Sequence, residues 1–142
     1  MDSNNRLPLT LFLLRVSVFI VMFVWTIDKF IRPKHASTVY EHFYFLGGLP
    51  DSFFYLIGTL ELVILIGFVL GFQKEWTYGL VLLFHGISTL TSFQQYMKPF
   101  ESVNLLFFAA WPMLAACFAL WYMRDLDTCW VVDKIKDPER SG

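Results

Sequence analysis

The sequence predicts an all-α membrane fold: a transmembrane antiparallel four-helix bundle with a short interfacial helix between spans one and two. Hydrophobic residues make up 56% of the 142 residues and charged residues only 16%, whereas about a quarter of a typical soluble domain is charged. Four apolar stretches each approach the ~20 residues that a helix needs to cross a bilayer. Polar or proline-containing breaks separate them.

The first predicted span covers residues 9–31, after an N-terminal segment 1–8. Pro8 suits the first turn of a helix, and Pro33 ends the apolar run. The run is too long for a signal peptide, and no small-residue cleavage site follows it, so we expect it to be retained. It contains Arg15, with Asp28 and Lys29 near its far end.

The longest loop, residues 32–52, is aromatic and amphipathic in its first half. Thr38 and Glu41 have the spacing of a capping box, which predicts a helix starting at Thr38. Gly47 and Gly48 are suited to end it. We expect this helix to lie at the membrane interface.

The remaining spans are predicted at residues 53–72, 76–93 and 103–123, and together with 9–31 they form one membrane domain, 9–123. Glu61 lies in the second span and His85 in the third. The turn between these spans is so short that they must run antiparallel. Residues 124–142 form a polar C-terminal tail.

Four spans place both termini on one side of the membrane. That side carries six basic residues and the other carries four, so the positive-inside rule places the termini in the cytoplasm. The basic residues on the side of the termini are Arg6, Lys74, Arg124, Lys134, Lys136 and Arg140.

Three ionisable residues are predicted to converge near the midplane. Arg15 lies about 9–12 Å below one face and Glu61 about 12–14 Å below the other, so their levels differ by a few ångströms in a core of ~30 Å. His85 falls at a similar depth. Arg15, Glu61 and His85 form either a polar pocket that binds a small molecule or passes a proton, or an Arg15–Glu61 pair that fixes helix register. In the second case a hydroxyl or carbonyl satisfies His85.

A second group of polar residues is predicted near the far interface: Asp28, Lys29, Gln94 and Gln95. They either anchor the helices at the interface or form a mouth to the midplane pocket. The sequence contains no catalytic motif, haem motif or metal motif. Cys117 and Cys129 are not in a CxxC pattern, and a net charge of −1 argues against nucleic acid as a partner.

The ordered set of these residues resembles the DoxX-like family of small four-helix membrane proteins. The resemblance covers residues 9–123 and is carried by Arg15, Lys29, the Phe45–Pro50 segment FLGGLP, and the Gly58–Glu61 segment GTLE followed by Gly67 and Gly71. The chain departs from the pattern at Thr26, where the family often has a glycine.

The resemblance implies a bacterial cytoplasmic (inner) membrane and an association with redox systems. The leading hypothesis is therefore a membrane subunit or accessory of a quinone- or thiol-linked redox system. In it, Arg15, Glu61 and His85 hold a quinone headgroup. The chain is not expected to be catalytic alone; if it takes part in catalysis, it belongs to a quinone-linked oxidoreductase.

The rival hypothesis is an assembly or interaction protein for another membrane protein, with no ligand of its own. Phe43, Tyr44 and Trp130 are its candidate contact residues. A transporter of protons or small molecules is a third hypothesis. The expected partners are the lipid bilayer and another membrane or redox protein, and a homo-oligomer is compatible with all three.

Overall fold

The structure, a computed structural model, describes residues 6–133, and every regular element in that range is helical. The elements in chain order are α1 (Arg6–Ile31), α2 (Pro33–Tyr44), α3 (Asp51–Val69), α4 (Lys74–Thr91), α5 (Phe93–Met97), a 3₁₀ helix (Asn104–Ala109) and α6 (Ala110–Tyr122). The all-α class is thus confirmed.

Three stretches within residues 6–133 are long and apolar enough to cross a membrane: Arg6–Ile31, Asp51–Val69 and Asn104–Tyr122. They are compatible with a membrane protein. The fourth long helix, α4, is not among them because its 18 residues include several polar side chains.

The four long helices contact one another in a closed order. α1 packs against α3 and α6, and α4 packs against the same two helices from the other side. A core of buried apolar side chains joins all four. Its members are Leu11, Val18, Leu65, Phe68, Tyr78, Val81, Cys117 and Leu120.

Helix α2 is present, but it starts five residues earlier than the capping-box spacing indicates. Pro33 occupies its first turn, and the hydroxyl of Thr38 bonds instead to the carbonyl of Lys34 at 3.1 Å. The predicted start at Thr38 is wrong because proline already has the φ angle that a first helical turn needs. The helix ends at Tyr44, and Phe45 caps it in a left-handed conformation (φ 59°), before the two glycines.

Residues 123–133, which we call the C-terminal strap, fold back over the starts of α1 and α4 and the end of α3. The backbone N–H of Val132 donates to the carbonyl of Leu70 at 2.9 Å. The Asp133 carboxylate accepts from the backbone N–H groups of Gln73 and Lys74 at 2.9 and 3.1 Å. The strap therefore binds the start of α4, and residues 134–142 of the predicted tail lie outside the described residues.

Gly71 allows this close approach. Its φ angle is 62°, a conformation that favours glycine. A Cβ atom there would lie 2.5 Å from Cγ1 of Val131 and 2.9 Å from Nη1 of Arg15. The positions of the strap and of the Arg15 guanidinium both require that residue 71 has no side chain.

We call this end of the molecule the strap end. The opposite end, where α1 finishes and α3 begins, is the α2 end.

Candidate functional site

Arg15 and Glu61 lie in two separate clusters. Within residues 6–133, no hydrogen bond or ion pair connects these two residues, and each pairs with a different oppositely charged residue. The predicted Arg15–Glu61 pair is wrong. The structure does not bring Arg15, Glu61 and His85 together through direct contacts.

The first cluster, which we call the Arg15 cluster, is formed by Arg15, Tyr78 and Asp127 at the strap end. Nη1 of Arg15 donates to Oδ2 of Asp127 at 2.9 Å and to the hydroxyl of Tyr78 at 3.0 Å. The Tyr78 hydroxyl donates to the same carboxylate oxygen at 2.7 Å. Nη2 of Arg15 donates to the carbonyls of Cys129 and Trp130 at 2.7 and 3.0 Å.

The Arg15 cluster is sealed from solvent. The side chains of Arg15 and Asp127 are both 0% exposed, and both terminal nitrogens of the guanidinium already have two acceptors. Within residues 6–133, only Nε of Arg15 and Oδ1 of Asp127 remain without a hydrogen-bond partner in this cluster. Because its partners are all in the same chain, the cluster fixes the strap against α1 and α4.

The second cluster, which we call the Lys29 cluster, is formed by Lys29, Glu61 and Thr26 towards the α2 end. Nζ of Lys29 lies 2.8 Å from Oε2 of Glu61, and the Thr26 hydroxyl donates to the same oxygen at 3.1 Å. Nζ also lies 6.0 Å from the ring centroid of Tyr40 on α2. Thr26 thus contributes a hydrogen bond to the carboxylate.

The Lys29 cluster is partly open, with Lys29 11% and Glu61 20% exposed. Gly58 allows α1 and α3 to approach here, since a Cβ atom on it would lie 2.8 Å from the ring of Phe30 and 3.5 Å from Cβ of Lys29. Burial, together with the nearby Glu61 carboxylate, raises the pKa of Tyr40. Tyr40 therefore keeps its proton beside the ion pair.

The direction of helical side chains explains the failed pairing. Side chains tilt towards the N-terminus of their own helix. In α1 this sends Arg15 towards the strap end, whereas in α3, which begins at the α2 end, it sends Glu61 the other way. Lys29 points from the α2 end back into the molecule and meets Glu61. Equal depth of Cα atoms on antiparallel helices thus does not bring two side chains together.

His85 is buried on α4 and has a partner of its own. Its Nε2 lies 3.0 Å from the carbonyl of Ala110 at the start of α6, so the ring N–H donates to that carbonyl. The carbonyl partner that the second alternative expects for His85 is thus present, although the Arg15–Glu61 pair of that alternative is not. This contact joins α4 to α6.

The four predicted mouth residues lie in three different environments, of which Gln94 and Gln95 share one, near His42. Asp28 bonds to Arg32 and His35 where α1 meets α2, and Lys29 belongs to its own cluster. Nε2 of Gln95 lies 3.3 Å from Nε2 of His42 on α2. Gln94 lines an open groove of about 390 Å³ together with Thr38, Glu41, His42 and Phe45.

Sequence reasoning missed Asp127 and Tyr78, which complete the Arg15 cluster. Asp127 lies in the polar segment after the last span, where a carboxylate is an ordinary solvated residue. One signal was available: Arg15 tilts towards the start of α1, so its partner belongs at that end of the bundle. Several acidic residues lie near that end, and only the fold of the strap selects Asp127.

Within the described range 6–133, no three His, Cys, Asp or Glu side chains are grouped to hold a metal ion. No family model, curated protein or solved structure matches this chain.

Proposed function

We propose that this chain is an integral membrane protein with four antiparallel spans, of the DoxX-like type, that acts by binding another membrane protein. In this proposal the chain assists assembly or interaction and performs no chemistry of its own. It is an inner-membrane protein with both termini in the cytoplasm.

The surface of α4 supports a fourth span. Four of its five buried residues are polar: Thr77, Tyr78, His85 and Thr89. Its exposed side chains include Trp76, Leu83, Ile87 and Leu90. A helix with polar groups inside and apolar groups outside fits lipid surroundings, where water does not solvate the outer face.

The number of spans has a direct test. Reporter tags at the two ends of the chain would lie on the same side of the membrane with four spans and on opposite sides with three. Same-side tags are expected. Opposite-side tags would mean that α4 does not cross the membrane.

The observation that carries the interaction hypothesis is the closure of the Arg15 cluster. An intramembrane arginine is costly and often marks a binding site, but here the strap supplies its carboxylate and two carbonyl acceptors. With Arg15 and Asp127 both 0% exposed, a ligand reaches the guanidinium only if the strap leaves. The arrangement therefore favours a structural role for this charge.

The strap offers a contact surface for a partner. Trp130 is 83% exposed, and Leu126 and Val132 in the same strap are also exposed. The other two candidate contact residues are half-buried. Phe43 packs on Phe107 with ring centroids 5.8 Å apart, and Tyr44 packs on Tyr40 at 4.9 Å.

Co-purification from the native membrane after gentle extraction tests this function. Trp130→Ala is expected to lose a partner that the wild-type chain retains, because the side chain makes most of its surface available. Trp111→Ala, which changes an exposed tryptophan on α6 outside the strap, and Glu61→Gln are expected to retain it. Equal retention by all variants, or no partner with the wild type, would contradict the proposal.

A second candidate function is the quinone- or thiol-linked redox accessory, and the partial exposure of the Lys29 cluster favours it. A ligand placed there would meet Lys29, Glu61 and Tyr40 instead of Arg15. Native mass spectrometry should then detect a quinone that is lost in Lys29→Ala and kept in Asp125→Ala. Absence of any retained quinone would argue against this alternative.

A further inference from the structure

A groove of about 500 Å³ lies along α1 at its junction with α2. Its apolar wall includes Phe23, Val24 and Ile27. Asp28, Arg32 and His35 line its polar part, next to the start of α2. One groove thus combines an apolar channel with charged groups.

The polar part of the groove contains more basic than acidic groups. Asp28 accepts from Nε of Arg32 at 2.6 Å and lies 2.6 Å from Nδ1 of His35. Both basic side chains are well exposed, Arg32 at 63% and His35 at 46%. Within residues 6–133, Nη1 of Arg32 and Nε2 of His35 have no hydrogen-bond partner. Nη1 is free to donate to a ligand, and Nε2 donates to one in the imidazolium form of the ring, because Nδ1 already faces Asp28.

The N-terminus of α2 adds positive potential at the same place. This helix has 12 residues, starts at Pro33 and has no side-chain cap. Its first free backbone N–H groups belong to Lys34 and His35, and such groups favour anions. Arg32 and His35 both contact the single carboxylate of Asp28, and the exposed Lys34 lies between them in the sequence, in the first turn of α2.

We infer that the α1–α2 corner binds one anionic phospholipid, with its phosphate between Arg32 and His35 and an acyl chain along Val24 and Ile27. Arginine and charge-assisted hydrogen bonds suit a phosphate diester. The adjoining apolar wall favours a lipid over free phosphate, since it would be covered by the acyl chain. The inference rests on the proposed membrane location, because α1 would end at the level of the headgroups.

The test uses the purified full chain in detergent with phosphatidylglycerol or phosphatidylcholine of identical acyl chains, analysed by native mass spectrometry. The wild type is expected to retain phosphatidylglycerol preferentially. Arg32→Gln combined with His35→Gln should reduce that retention about tenfold, the equivalent of roughly one charge-assisted hydrogen bond. Lys98→Gln, which removes an equally exposed cation at 65%, should leave it unchanged.

A groove variant tests the apolar part separately. Val24→Trp would fill the channel and should weaken phosphatidylglycerol binding while Arg32 and His35 are intact. Equal retention of both lipids, or unchanged retention in the Arg32/His35 double variant, would overturn the inference. Displacement of the lipid by inorganic phosphate at equal concentration would overturn the claim that the acyl chain contributes.

Alkaline extraction of membranes separates this inference from the proposed function. If the wild-type chain leaves the membrane at high pH, the membrane location fails and the lipid inference fails with it. If the chain stays in the membrane but shows no preference between the lipids, only the lipid inference fails.

Discussion

The Arg15–Asp127 and Lys29–Glu61 ion pairs tie α1 to its neighbours in different ways. The Arg15 cluster is sealed and uses a carboxylate from an irregular segment that is distant in the sequence. The Lys29 cluster joins two neighbouring helices, and both charged side chains are partly exposed. A charge inside an apolar helix thus has two solutions: a partner that covers it completely, or a partner that leaves an open side.

This difference distinguishes a purely structural ion pair from one that water or a ligand can reach. A sealed pair gains all its stabilisation from groups within the chain, and removing one partner leaves a buried charge. An open pair remains accessible to water or to a ligand. Substituting one of its partners therefore lowers the free energy of unfolding by less. The strap end should therefore be the more sensitive to substitution.

Asp127→Ala should cause the largest loss. It leaves Arg15 buried without a carboxylate, and breaking a pair of this kind costs about 3–5 kcal/mol. Chemical unfolding in detergent would measure the change in the free energy of unfolding. Asp125→Ala, two residues earlier in the same strap and exposed, should change it by less than about 0.5 kcal/mol. Equal effects of the two variants would show that the Arg15 cluster does not hold the strap.

Gly71→Ala should have the next largest effect. The new methyl group would collide with Val131 and Arg15, at 2.5 and 2.9 Å, in a backbone conformation that disfavours alanine. Left-handed strain and overpacking together suggest a loss of about 2–4 kcal/mol. Faster proteolysis of the strap would be a second readout.

Gly86→Ala is the matched control, because a Cβ atom there makes only an ordinary contact, 3.8 Å from Leu114. It should be neutral or slightly stabilising. If Gly71→Ala behaves in the same way, the strap does not pack as closely as the structure shows.

Glu61→Gln should have a smaller effect than Asp127→Ala. It keeps the size of the side chain and the partial exposure of the Lys29 cluster, so we expect a loss of about 1–3 kcal/mol in the same unfolding assay. Glu101→Gln removes a well-exposed partner of Lys98 and should be nearly silent. A loss on Glu61→Gln that exceeds the Asp127→Ala loss would reverse the comparison between the two clusters.

Much of the fold was predictable because apolar length and breakers are local features of the sequence. The helices that contain Arg15, Glu61 and His85 lie close to their predicted bounds. The start of α2 was misplaced because two helix-start signals competed, and Pro33 prevailed over the Thr38–Glu41 spacing. The outcome depends on local backbone geometry, here the φ angle of proline, which the capping-box spacing does not take into account.

The pairing of charges was less predictable than the positions of the charges. Depth arithmetic places Cα atoms, but the reach and tilt of Arg15 and Lys29 decide which carboxylate each one meets. The sequence also gives no local sign that Asp127 leaves solvent, since this depends on how the strap folds over Gly71. Contacts made by irregular segments are therefore the part of the site that sequence patterns miss.

Double-mutant cycles between Arg15 and each carboxylate test the central claim most directly. Arg15→Met is combined with Asp127→Ala in one cycle and with Glu61→Gln in the other, and the free energy of unfolding is measured for every variant. We predict a coupling of about 2 kcal/mol or more for Arg15 with Asp127, and additivity within about 0.5 kcal/mol for Arg15 with Glu61. Strong coupling of Arg15 to Glu61 with none to Asp127 would contradict the account.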